Sequence, residues 1–199
     1  MLVMKTLLRH FCVGLFLLFT WPFLLYKKLG NVKYELQGRT IIVANHYSNF
    51  DPFFIYLMYG RKKKIRFVTI VETKKKLVSR FVTWLFDCLY IDYNTVNWGF
   101  FKQCLEILNN DGVIGIFPEG AINPRKYGFF DFKNSFVYLA KKTHANVLPL
   151  YIYPELALFK KSKVYVGDVI TYEKLNELDD LTVASMYVLS KIMDYSTMC

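Results

Sequence analysis

The sequence predicts an α/β fold: a largely parallel or mixed sheet flanked by helices, with an apolar N-terminal helix as membrane anchor. Three observations predict it. Short runs that are apolar throughout, residues 40–44 and 113–117 among them, alternate with longer amphipathic segments, as strands covered on both faces do. The 199 residues are enough for a full hydrophobic core. An uncharged and almost wholly apolar stretch, residues 11–26, opens the chain between Lys5 and Arg9 on one side and Lys27 and Lys28 on the other.

The elements follow from periodicity and punctuation. Residues 40–44 are β-branched and apolar, hence a strand. A helix starts at Asp51 or Pro52, since Pro suits a first helical turn, and it ends at Gly60. Residues 65–71 form a second strand, 77–86 a helix and 89–92 a short strand. Trp98, Phe101, Leu105 and Leu108 share one face of a helix that Asn109, Asn110, Asp111 and Gly112 close. Residues 113–117, 146–151 and 164–166 are strands, and 136–142 and 181–193 are helices. The chain divides into an N-terminal segment, 1–30, and one domain, 31–199.

Composition points two ways at once. Hydrophobic residues make up 54% and aromatics 18%, yet the formal net charge is +10. A chain lying on an anionic bilayer combines these features. Nucleic acid is the competing polyanion, but no nucleic-acid motif is present. Residues 11–26 fall short of the roughly 20 that a perpendicular span needs, and Pro22 marks a break. The segment is therefore expected to be a monotopic or shallow re-entrant anchor, with the domain facing the cytoplasm. A core helix of a soluble protein is the plainer reading. Cys12, Cys88, Cys104 and Cys199 make no C-x-x-C pair and no Cys/His metal spacing, so no metal is expected.

Where the first strand ends, His46 is followed by Asp51. Histidine transfers protons near neutral pH, and a carboxylate can fix its tautomer and stabilise its cation. Alone, Asp before Pro is ordinary capping and a single His is usually structural. Residues 115–120 (Gly-Ile-Phe-Pro-Glu-Gly) present Glu119 at the mouth of another buried strand. Pro118 ends the pairing there and Gly120 lets the backbone turn. Since ligands of such sheets bind beyond the strands' carboxyl ends, His46 and Glu119 can lie in one crevice.

Asn45-His46-x-Ser48-x-x-Asp51, then Phe117-Pro118-Glu119-Gly120, then Leu148-Pro149-Leu150 resemble the glycerolipid acyltransferases typified by 1-acyl-glycerol-3-phosphate acyltransferase. The resemblance runs from about Val32 to Val166. It implies His46 as general base and Asp51 as its partner. It also implies that Ser48 hydrogen-bonds near the site, that Asn45 braces the turn, and that Glu119 and Gly120 shape the acceptor pocket. The implied partners are a thioester donor (acyl-CoA or acyl-carrier protein), a lysolipid acceptor and membrane phospholipids, with no cofactor and no nucleic acid.

Two positions depart from the family pattern. Tyr93 and Ile122 stand where the resemblance expects arginines that hold the acceptor phosphate, and neither side chain can form the bidentate fork of a guanidinium. Either another cation, with Lys74 and Arg125 as candidates, makes that contact, or the acceptor is a different lysolipid or lipid-like alcohol. A thioesterase and a non-catalytic lipid-binding protein are the remaining alternatives.

Overall fold

The computed structural model describes residues 2–60, 62–75, 77–95, 97–123 and 128–198. Its helices are α1 (Leu2–Thr20), α2 (Asp51–Ile55), α3 (Leu77–Leu85), α4 (Trp98–Asn109), α5 (Ser135–Thr143), α6 (Tyr172–Asn176) and α7 (Leu181–Ser196). Its strands are β1 (Tyr26–Gly30), β2 (Thr40–Ala44), β3 (Ile65–Ile70), β4 (Leu89–Ile91), β5 (Val113–Ile116), β6 (Asn146–Ile152) and β7 (Ser162–Val166). They form one sheet in the order β1-β7-β6-β2-β5-β3-β4. Only the β6–β7 pair is antiparallel; the other neighbours run parallel. The expected largely parallel, mixed α/β sheet is what forms.

Strand β2 lies at the centre, and Ile41, Ile42, Val43 and Ala44 are wholly buried. Alternation sends Ile41 and Val43 to a core built with α4, α5 and α7. Ile42 and Ala44 go to the opposite face, packed with Phe53, Phe54, Ile55 and Phe86. Burying a side chain of this size is worth about 1.5–3 kcal/mol, which is why an uninterrupted apolar run belongs in the middle of a two-faced sheet. On α4 the buried stripe is Phe100, Cys104 and Leu108, not the face containing Trp98. Trp98 begins the helix and is 77% exposed, and Phe101 and Leu105 only flank the core.

The expected membrane anchor is overturned. Among the described residues, no helix is long and apolar enough to cross a membrane. The uncharged run does not form one element: α1 ends at Thr20, Trp21–Phe23 make a 3-10 turn around Pro22, and Tyr26 already belongs to β1. The helical part of that run rises only about 15 Å at about 1.5 Å per residue, half of a hydrocarbon core of roughly 30 Å. The expected location through that helix falls with it. Inward, Val13 is buried and Phe16 stacks on Phe53 with ring centroids 4.7 Å apart. Part of the basic excess is also spoken for, since Lys64 and Arg66 reach Asp87 and Lys62 pairs with Glu35.

Candidate active site

Register builds the site before any side chain is considered. Strands β2 and β5 are parallel neighbours, with Thr40 opposite Val113 and Val43 opposite Ile116. Continued past both strands, that register sets His46 opposite Glu119. The His46 backbone N–H donates to Glu119 Oε1 at 2.9 Å across this separation of 73 residues. The crevice at the carboxyl ends of the strands therefore collects both motifs, as expected.

The chain leaves β2 through Asn45, whose side-chain amide inserts into the tip of β6. Asn45 Nδ2 donates to the Ile152 carbonyl at 2.9 Å, and Ile152 N–H donates to Asn45 Oδ1 at 2.7 Å. A side chain thus continues the ladder where the backbone departs. His46 comes next, and its ring lies against Phe117 at 4.3 Å with an interplanar angle of 20°.

Asp51 is the first residue of α2 and not its cap. Its carboxylate turns back onto the preceding loop. Oδ2 accepts from Tyr47 N–H at 2.6 Å and Ser48 N–H at 2.8 Å, and lies 2.9 Å from His46 Nδ1. Oδ1 accepts from the Ser48 hydroxyl at 2.8 Å, and that hydroxyl in turn accepts from Phe50 N–H at 3.2 Å. Asp51 is 1% exposed and the His46 side chain 18%. With a carboxylate on Nδ1, that nitrogen carries the proton and Nε2 is the basic one.

Glu119 is the second buried carboxylate. Besides the His46 N–H, it accepts at Oε2 from Phe130 N–H at 2.9 Å and Asn123 Nδ2 at 3.0 Å. Asn123 also donates its backbone N–H to the His46 carbonyl at 2.7 Å. Glu119 therefore ties together the turn after β2, the turn after β5 and the segment leading to α5. Both of its oxygens are occupied by protein donors. Gly120 follows with φ +72°, where a side chain is strained.

Among the residues singled out from the sequence, Asn45, His46, Ser48, Asp51, Glu119 and Gly120 come together. Lys74 does not join them: its ammonium lies 4.0 Å from the Tyr90 ring centroid. Arg125 lies outside the described residues. Sequence reasoning missed Phe117 as the surface behind the imidazole, and Asn123 as a brace.

A model of the Acyltransferase family matches residues 26–153, well over half of the chain. The chain belongs to the acyltransferase family. Two curated proteins described as probable 1-acyl-sn-glycerol-3-phosphate acyltransferases are similar to it. That of Mycoplasma pneumoniae is 26% identical over 132 residues, and that of Mycoplasma genitalium 26% identical over 129; each match covers 62% of this chain and 47% of the relative. The acyltransferase-family chain thus spans about half the length of the curated relatives it matches. The crystal structure of the 1-acyl-sn-glycerophosphate (LPA) acyltransferase PlsC from Thermotoga maritima superimposes with a TM-score of 0.69 at 20% identity, over 88% of this chain and 72% of that one. At that identity the likeness establishes the fold.

Proposed function

We propose that this chain transfers a fatty acyl group from a thioester, acyl-CoA or acyl-carrier protein, to the hydroxyl of a lysolipid. Lysophosphatidic acid is the first candidate acceptor, giving phosphatidic acid. The observation that carries the reading is the His46–Asp51 pair, set at the carboxyl end of the central strand with Nδ1 2.9 Å from Oδ2. Family membership and the activity ascribed to the two mycoplasmal relatives support the reaction class.

In this reading His46 Nε2 takes the proton of the acceptor hydroxyl while its oxygen bonds to the thioester carbonyl carbon. Asp51 stabilises the resulting imidazolium. Collapse of the tetrahedral intermediate breaks the carbon–sulfur bond, and the imidazolium returns the proton to the departing thiolate. The products are the ester and the free thiol, and His46 ends neutral. No covalent acyl-enzyme is needed. Phe117 limits ring tilt, and the amide of Asn45 fixes where the chain leaves the sheet.

The test is turnover of labelled acyl-CoA with a panel of lysolipids, products identified by mass spectrometry. His46→Ala is expected to lower kcat about 10²–10⁴-fold while circular dichroism and Tm hold. Undiminished transfer by that variant would overturn the proposal. Release of free fatty acid without any need for an acceptor would make the protein a thioesterase instead.

A further inference from the structure

We infer that Lys133 and the Tyr93 hydroxyl form a phosphate-binding corner of the crevice, seated over Gly120. Three segments meet there. Phe130 N–H donates to Glu119 Oε2 at 2.9 Å and Lys133 N–H to the Pro118 carbonyl at 3.0 Å. These two bonds clamp the segment before α5 onto the turn that carries Glu119. The Lys133 stem then folds back across Gly120. A Cβ added to that glycine would meet Lys133 Cε at 2.6 Å and the Tyr93 hydroxyl at 3.1 Å. The Lys133 stem and the Tyr93 hydroxyl therefore converge on one backbone position, and the missing Cβ makes room for them.

The Lys133 ammonium lies 3.9 Å from the Tyr93 ring centroid, and among the described residues no carboxylate is within ion-pair distance of it. A ring face neutralises an ammonium only weakly. Lys133 is exposed, and its three N–H donors beside a phenol suit a multivalent anionic oxygen acceptor such as a phosphomonoester. Burial pushes the Tyr93 hydroxyl above its ordinary pKa, so it stays a donor at neutral pH. Gly120 directly follows Glu119, which holds the His46 backbone. An anion bound here sits on the turn next to the residue that holds the proposed base. Lysine and tyrosine thus do at this corner what the resemblance assigns to arginines. The ligand class rests on the acyltransferase reading; the meeting of the two side chains over Gly120 does not.

The phosphate belongs either to the acceptor headgroup or to the nucleotide of acyl-CoA, and two pairs of ligands separate these sources. Calorimetry would compare 1-hexanoyl-glycerol 3-phosphate, below its micelle concentration, with 1-hexanoyl-glycerol, and hexanoyl-CoA with hexanoyl-pantetheine. The wild type is expected to favour one phosphate-bearing member. Lys133→Gln should remove roughly 10- to 100-fold of that preference, Tyr93→Phe should remove less, and Lys133→Arg should restore it. Neutral ligands should bind all four proteins alike. The pair that responds identifies the source. No preference in the wild type, or a preference that Lys133→Gln leaves intact, would overturn the inference. A wild type that binds with the expected preference yet acylates nothing would instead overturn the proposed function.

Discussion

Asp51 and Asp87 are both drawn from solvent into dense hydrogen-bonding environments, yet they are built in opposite ways. Asp51 is 1% exposed and takes its donors from its own stretch of chain: His46, Tyr47 and Ser48. Asp87 is 26% exposed and gathers cations from remote segments: Arg9 of α1 at 3.2 Å, Lys64 at 2.8 Å and Arg66 of β3 at 3.4 Å. It stands at φ +51° in the turn after α3. The first arrangement orients one imidazole. The second pins the N-terminal helix to the sheet. A carboxylate fed by neutral local donors suits chemistry, because the only charge that can change beside it is the histidine's. One fed by permanent cations suits docking.

That contrast can be broken from either side. The largest effect is expected for Asp51→Asn, which presents an amide N–H to donors and removes the fixed tautomer of His46. Its kcat should fall about 10²–10⁴-fold, with a fall in Tm from the unsatisfied N–H groups; steady-state kinetics with a full-length lysolipid reads this. Glu119→Gln should come next. One of the three groups donating to Glu119 must then face an NH₂, costing about 1–3 kcal/mol, and kcat should drop as the His46 backbone shifts. Denaturant melts alongside kinetics check both parts, and an unaffected melt would contradict the bonding described.

Asp87→Asn should leave kcat unchanged and lower stability by about 1 kcal/mol or less, since partly exposed pairs are screened. If it reduced activity as Asp51→Asn does, the distinction between the two aspartates would collapse. The smallest effect lies in pH. Burial pushes the Asp87 carboxyl up, but the Lys64 hydrogen bond and the charges of Arg66, Lys64 and Arg9 together hold it below its ordinary 3.8. A depressed carboxylate contributes stability that is fully present above the unfolded value. That contribution is lost as pH falls through the folded one. Below about pH 4 the stability of the wild type should therefore decline more steeply than that of Asp87→Asn, as urea titrations at stepped pH would read.

The same contrast explains what the sequence made legible. His46 and Asp51 were readable because their partnership is local, a short loop between a strand end and a helix start. Glu119 was readable because β5 is apolar to its last residue and Pro118 stops it. Strands β2, β5 and β6 announce themselves as unbroken apolar runs for the same reason. Strand β1 did not, because it is an edge strand and tolerates Lys27 and Lys28. Asn123, Phe130 and Lys133 were silent too. Their roles depend on how one segment folds over the turn at Glu119, and no periodicity records that. The Asp87 cluster was silent because its partners are scattered along the chain. The basic runs that seemed to face a membrane include Lys64 and Arg66, which instead pair with Asp87.

The Asn45 amide has a consequence for how this family member can vary. Because the side chain occupies a rung of the β2–β6 ladder, it counts residues: His46 must be the next position, neither earlier nor later. An insertion or deletion between Ala44 and Asp51 would slip the imidazole off its carboxylate even if every strand survived. Length changes are thus excluded from this loop. The loop bearing the proposed base is a fixed-length part, and the sheet's hydrogen bonding acts as its gauge.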